Sequence, residues 1–386
     1  MTARRPPPSA SVVVIGGGVV GLSSAYHLAR RGVPDVVLVD RDALGCGSTA
    51  KAAGGVRAMF SDPVNVTLGA RSLETFRNFP ALFGQEIDFC QVGYLFLLGT
   101  PEAVAAFEAG VALQNDLGVP SRMIDVDEAR RLSPLVSPDG LLGAAYSPGD
   151  GHCTPESVVL GYATAARRAG VTVLPHCTAT GIDVRDGRIA AVRTEAGDIR
   201  TDTVVCAAGA WSAEVGSWAG VHLPVTPLRR QILVTEPVPG LDPHTPFTID
   251  FDTTFYFHRE GEGLLLGMSD PDEEPGFAVT RSDAWLPRLG AALERRAPAI
   301  ADVGIAGGWA GLYEMTPDHN ALIGRADNVE NFLYATGFSG HGFLMGPAVG
   351  EVVADLYLGD ETFVDVSGLT AARFTGADRR PELNIV

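Results

Sequence analysis

Positive charge is scarce in this chain. Its 386 residues carry 29 Lys and Arg against 46 Asp and Glu, a formal net charge of −17. With no basic excess to displace counterions from phosphates, a nucleic-acid binder is excluded, although one or two local arginines still suffice to hold a carboxylate. Cysteine is equally sparse. Cys46, Cys90, Cys153, Cys177 and Cys206 are odd in number and form no C-x-x-C. That argues against a disulfide framework or a zinc site and predicts reduced thiols in a cytoplasmic protein with no bound metal. No apolar run approaches a membrane span. Arg4-Arg5 followed by the uncharged stretch Ser11 to Ala29 mimics a signal peptide, but Pro6-Pro7-Pro8 intervenes and three consecutive glycines sit at its centre. Repeats and low-complexity tracts are absent too. Residues 1–9 are expected to be a disordered leader.

What is present suits a turn-rich α/β or α+β enzyme: 46% hydrophobic residues, 46 Gly and 26 Pro, in a chain long enough for two domains or one large discontinuous one. The organising stretch is Ser11-Val-Val-Val-Ile15 running into Gly16-x-Gly18-x-x-Gly21 and then a helix-forming segment. Val36 to Val39 supplies a second strand ending in Asp40. Gly16 allows a sharp turn out of the strand, and Gly18 keeps side chains away from a pyrophosphate. Gly21 lets the helix lie close on the sheet with its N-terminus aimed at the phosphates. Asp40 stands where a ribose hydroxyl pair needs an acceptor. The competing reading is a glycine-rich turn of an unrelated α/β domain. His27, inside the helix, reads as a packing or solvent residue.

Gly45 to Arg57 is rich in small residues and embeds two cations. It reads as backbone passing close to a flat ligand, or alternatively as a flexible surface loop. Helices are expected over 63–79, 101–118, 127–132, from Thr154 to Gly170, over about 282–296 and over 344–358. Strands are expected at 87–98, 141–146, 171–174, in a hairpin through Asp186-Gly187, and at 203–206. Further strands are expected at 231–235, 253–258, 263–267 and 332–336. The strand at 203–206 closes on Ala207-Ala208-Gly209, and the one at 332–336 closes on Gly337-Phe-Ser-Gly-His-Gly-Phe343. Three strand-to-glycine turns in a parallel sheet would meet along one crevice. The fold class is therefore α/β with α+β: a discontinuous Rossmann-like nucleotide domain (10–80, 151–222 and 305–360) carrying an inserted mixed or antiparallel sheet (81–150 and 223–304), with residues 361–386 as a tail.

Together, Val-Ile-Gly-Gly-Gly with Asp40, Ser48-Thr49 through Arg57, Cys206 to Ser212, Thr316-Pro-Asp318 and Gly337 to Phe343 resemble the FAD-dependent amine and amino-acid oxidoreductases. That family includes D-amino-acid oxidase, glycine oxidase, sarcosine oxidase and dimethylglycine dehydrogenase. The β subunits of heteromeric sarcosine oxidases and proline dehydrogenases are the most alike. The resemblance spans nearly all of residues 11–358 and implies tightly bound FAD. It places Gly16, Gly18, Val19, Val20 and Gly21 at the pyrophosphate, and Asp40 and Arg41 at the adenosine ribose. Ser48, Thr49, Lys51, Ala52, Ala53 and Gly54 fall along the flavin side, with Ala208, Gly209 and Trp211 near the adenosine half. Gly337, Ser339, Gly340, His341, Gly342 and Phe343 fall at the ring and ribityl chain.

The implied reaction is hydride transfer from a C–H beside an amine nitrogen to flavin N5, giving an imine that water hydrolyses. By the same resemblance Arg57 grips a substrate carboxylate, while Tyr256 and His341 reach the reacting centre. The substrate is a small amine or amino acid, the acceptor is oxygen or another carrier, and partner subunits are possible. Three departures matter. A covalent-linkage cysteine of the monomeric sarcosine oxidases is Gly311 here, and the flavin-linking histidine of dimethylglycine dehydrogenase is Lys51, so the FAD is expected to be non-covalent. An oxygen-activating lysine is replaced by Leu265, which favours a dehydrogenase. A second carboxylate-binding lysine is Leu344. The alternatives are an FAD hydroxylase and a flavin-containing subunit or assembly factor without turnover.

Overall fold

The computed structural model describes residues 5–375 and 381–385. A six-stranded sheet lies at its centre, in the order Leu322–Arg325, Phe332–Thr336, Val204–Cys206, Val12–Ile15, Val36–Val39, Thr172–Leu174. All neighbours are parallel except the edge strand Leu322–Arg325. The Val/Ile runs form these strands because both faces are covered. Val12 and Val14 pack under the helices, while Val13 and Ile15 pack on the opposite face with Val192, Ile199 and Leu223.

Helices Val19–Arg30 and Gly342–Leu358 cross closely on the first face, flanked by Pro63–Arg77 and Pro155–Arg168. Glycine makes the crossing possible. A Cβ on Gly350 would sit 2.1 Å from the Ser23 hydroxyl oxygen. The opposite face is covered by a four-stranded sheet containing the hairpin Ala179–Arg185 and Arg188–Thr194.

The second layer is an eight-stranded sheet in the order Ile305–Met315, Thr226–Thr235, Gly263–Gly267, Phe255–Glu260, Phe247–Asp250, Tyr94–Leu98, Gly143–Ser147, Arg122–Ile124. It is antiparallel apart from the pair Phe247–Asp250 with Tyr94–Leu98. One face carries Leu95, Leu97, Phe255 and Phe257 against Leu289 of the helix Leu286–Arg296 and its N-cap residue Trp285. The other carries Tyr94, Ile249 and Tyr256.

Three expectations are corrected. Ser9 and Ala10 form a strand beside Arg200 and Thr201, and Arg200 N donates to the Pro8 carbonyl at 3.1 Å, so residues 5–9 are structured; residues 1–4 lie outside the described residues. Residues 305–315 belong to the eight-stranded sheet rather than to the nucleotide domain, because they pair along their length with Thr226–Thr235. The span 361–386 is no detached tail over its described parts. Val366 and Leu369 join the helical core, and Glu382 and Asn384 are buried against residues 59–65; residues 376–380 and 386 lie outside the described residues.

Candidate active site

Strand register builds the crevice. Ile15 is level with Val39 and with Cys206, and Cys206 is level with Tyr334, so the turns that follow gather along one edge. Gly16 has φ of +116°, and a Cβ there would lie 2.2 Å from the Ala207 carbonyl oxygen. Gly18, the N-cap of the first helix, is extended and meets only the Thr49 hydroxyl, at 3.1 Å. That helix has no side-chain cap on its N-cap residue and no acid in its first turn. Thr49 Oγ1 accepts from Val19 N at 3.2 Å, and the rest of the terminus presents free N–H groups and the positive dipole end to an anion. Asp40 braces the loop: Gly17 N donates to its Oδ2 at 2.6 Å and Asp42 N to its Oδ1 at 2.8 Å. Burial pushes its carboxyl up, opposed by those two bonds. Arg41 lies over the Trp211 ring at 3.9 Å, and Phe277 stacks on Trp211 at 5.4 Å.

The stretch 45–57 is not a flexible surface loop. It threads between the layers, with Gly45 N donating to Gly17 O (2.9 Å), Ser48 Oγ to Leu312 O (2.6 Å) and Trp309 Nε1 to Lys51 O (3.0 Å). His258 Nε2 lies 2.9 Å from Ala53 O, and a Cβ on Gly54 would lie 2.2 Å from Cys153 O.

At the third turn, the half-buried Glu314 organises the backbone. Its Oε2 accepts from Gly337 N at 2.9 Å and Thr336 Oγ1 at 2.7 Å, and its carbonyl accepts from Ser339 N at 3.1 Å. His341 then opens the helix Gly342–Leu358, whose first turn has no side-chain cap and no acid. The His341 Nε2 is 3.1 Å from an Arg57 Nη, so it accepts, and the ring is neutral. Burial and the neighbouring guanidinium both push its pKa well down.

One cavity of about 350 Å³ connects these parts with the eight-stranded sheet. Of the sequence-derived site residues, Gly16, Gly18, Val19, Val20, Asp40, Arg41, Ser48, Thr49, Lys51, Ala52, Ala53 and Gly54 line it. So do Arg57, Ala208, Gly209, Trp211, Tyr256, Gly340, His341, Gly342 and Phe343. Gly21, Gly337 and Ser339 do not. They shape the backbone behind the wall: a Cβ on Gly21 would lie 1.9 Å from Gly16 O, Gly337 donates to Glu314, and the Ser339 hydroxyl accepts from Thr316 N at 3.1 Å.

The far wall holds residues that sequence reasoning missed: Tyr94, Arg230, Phe247 and Tyr313. Tyr94 stacks on Phe247 at 4.4 Å, and Phe247 on Tyr256 at 5.4 Å. Burial raises the pKa of Tyr94, Tyr256 and Tyr313, so their hydroxyls stay protonated. A signal for Arg230 was available. Adjacent strand residues face opposite sides, so one cation of the Arg229-Arg230 pair had to point inward. Among the described residues, no cluster of His, Cys, Asp or Glu is arranged to hold a metal, and no helix is long and apolar enough to cross a membrane.

Over residues 11–356 the chain matches the FAD dependent oxidoreductase (DAO) family. It is similar to mitochondrial dimethylglycine dehydrogenase of Rattus norvegicus, with 31% identity over 377 residues covering 92% of this chain and 44% of that protein. It is also similar to FAD-dependent oxidoreductase domain-containing protein 1 of Xenopus laevis, with 32% identity over 419 residues, 96% of this chain and 83% of that one. Among solved structures, L-proline dehydrogenase from P. horikoshii superposes with a TM-score of 0.91 at 33% identity, covering 97% of this chain and all of that one. The chain thus spans less than half the length of dimethylglycine dehydrogenase. FAD fits the residues present. A free helix N-terminus and an open Gly18 suit its pyrophosphate, Asp40 its ribose, and the uncapped helix at His341 the electron-rich end of its ring. The chain belongs to the DAO family of FAD-dependent oxidoreductases, and FAD is its cofactor.

Proposed function

We propose that this protein oxidises the C–N bond of a small secondary amine or amino acid, of the N-methyl amino acid, proline or glycine type, to an imine that water then hydrolyses. One observation carries the reading. The cavity that begins at the phosphate loop ends in an aromatic chamber lined by two arginines, Arg57 and Arg230, and three tyrosines whose hydroxyls stay protonated, Tyr94, Tyr256 and Tyr313. When bound, FAD supplies the hydride acceptor.

The chain's own residues supply orientation, desolvation and charge. Tyr94, Phe247 and Tyr256 form an apolar wall that excludes water and presses an aliphatic amine against the cofactor side. Nearby Arg57 and Arg230 disfavour an ammonium, so the substrate binds as the neutral amine, its proton left to bulk solvent before entry, which hydride departure requires. N–H groups at the start of Gly342–Leu358 would favour negative charge on a flavin ring held there.

Leu265 is buried on the strand Gly263–Gly267 where the resemblance expects an oxygen-activating lysine, which supports a dehydrogenase passing electrons to another carrier. Non-covalent attachment is supported by Gly311, where any side chain would meet Lys51 Cβ at 2.9 Å. The test is anaerobic titration of the yellow protein with sarcosine, N,N-dimethylglycine, proline and glycine. Bleaching of the flavin band by at least one is expected, and no bleaching by any of them would overturn the reading.

A further inference from the structure

The two arginines of the chamber are not equivalent. Arg57 is already engaged. Its Nη1 donates to the Met59 carbonyl, and its Nη2 donates to Asn384 O at 2.6 Å and to His341 Nε2 at 3.1 Å. Its Cζ sits 4.1 Å from the Phe60 ring centroid. Asn384 is held there by the buried Glu382, which accepts from Ser61, Asp62 and Asn65. A substrate carboxylate at Arg57 would have to compete with backbone carbonyls already in place.

Arg230 is the opposite case. Its neighbour Arg229 turns away to Glu273 at 2.9 Å and to the Thr280 carbonyl at 2.7 Å. Arg230 turns into the cavity, 5.4 Å from the Tyr313 ring centroid. Its Nε is buried with no hydrogen-bond partner, and Nη1 makes only a 3.2 Å bond to the Arg229 carbonyl. Among the described residues no carboxylate pairs with it, in a chain whose acids outnumber its bases by 17. A guanidinium with a buried unmade bond, facing a cavity, is stabilised by an anion that enters there.

We propose that Arg230, and not Arg57, receives the carboxylate of the amino-acid substrate. Arg57 is a positioning residue that holds His341 and the segment around Asn384. The inference rests on the chamber being the substrate site, as proposed above.

The experiment uses the flavin-loaded protein and two unreactive probes of one shape, pyrrole-2-carboxylate and pyrrole-2-carboxamide, titrated by their perturbation of the flavin absorbance. The wild type is expected to prefer the carboxylate. Arg230→Met should weaken the carboxylate about 100-fold while moving the amide less than about 3-fold, the loss typical of removing one partner of a desolvated ion pair. Arg230→Lys should keep part of the preference, since it retains charge without the planar fork. Arg229→Met should leave it unchanged. The proposal is overturned if the wild type shows no carboxylate preference, if Arg230→Met weakens both probes equally, or if Arg57→Met alone removes the preference. Should Arg230→Met lose its flavin, Arg230→Lys decides, and a wild-type probe ratio in that variant overturns the proposal. Failure of the oxidation reading looks different: no amine bleaches the flavin, yet the probe preference still depends on Arg230.

Discussion

Gly21→Ala and Gly18→Ala separate packing from cofactor contact in the same loop. At Gly21 the new Cβ would lie 1.9 Å from Gly16 O and 3.0 Å from its carbonyl carbon, both backbone atoms that cannot rotate away. Ordinary contact begins near 3.4 Å. The first turn of the helix Val19–Arg30 must therefore lift off the strand by about 1.5 Å, an overpacking loss of about 3 kcal/mol. With an unfolding entropy of about 2.1 cal/mol/K per residue, that lowers the melting temperature of the apoprotein by about 4 °C. At Gly18 the backbone is extended and the Cβ meets only the Thr49 hydroxyl at 3.1 Å, so the apoprotein loses less than about 1 kcal/mol. There the methyl points into the space for the pyrophosphate, and FAD affinity should fall by about tenfold or more. Apoprotein melting by scanning calorimetry, paired with FAD titration by flavin fluorescence quenching, reads both quantities. The reasoning is refuted if Gly21→Ala melts with the wild type and only FAD affinity falls, or if Gly18→Ala destabilises the apoprotein as much as Gly21→Ala does.

Asp150 is fully buried, and burial pushes its carboxyl up to about 7 from 3.8. The native state therefore holds a proton the unfolded chain has lost between those values, so this group's contribution falls as pH rises from about 4 to about 7. Asp150→Asn keeps the acceptor for Ala58 N and gives the unpaired Oδ2 position a donor for Ser147 Oγ. Denaturant melts should show it stabilised at pH 8 by an amount on the order of 2 kcal/mol relative to pH 5, and the opposite trend would sink the argument. Glu314→Ala removes the acceptor for Gly337 N and Thr336 Oγ1 and should destabilise by about 2 kcal/mol with a shifted flavin spectrum, while Glu314→Gln keeps an acceptor and should be milder; equal effects would contradict the role assigned to its oxygens. Acid precipitation should leave the flavin in the supernatant, and a yellow pellet would show a covalent link.

The dinucleotide end was legible because its signals are local. A β-branched strand, three spaced glycines, a helix and an acid lie within Ser11 to Asp40, each constrained by its own backbone. The segment 45–57 was legible as ligand-facing for the same reason, since small residues in a row cannot form a core. The membership of 305–315 was not legible. Glycines carry no strand signature of their own, but in the strand a Cβ on Gly308 would lie 2.4 Å from the Ile232 carbonyl oxygen and one on Gly311 2.9 Å from Lys51 Cβ. Glycine here marks close approach within a sheet.

Sequence alone pointed to a dinucleotide cofactor and to a helix N-terminus suited to its phosphates, and determined that strands at the start, middle and end of the chain feed one crevice. Tertiary structure decided what faces that crevice. Tyr94, Arg230, Phe247, Tyr256 and Tyr313 come from separate strands, and their meeting depends on a strand register, parallel between Tyr94 and Phe247 and antiparallel elsewhere, that no local pattern encodes. It also decided which arginine is free. Whether a guanidinium is satisfied depends on carbonyls such as Asn384 O, more than three hundred residues away in the chain and beside it in the fold.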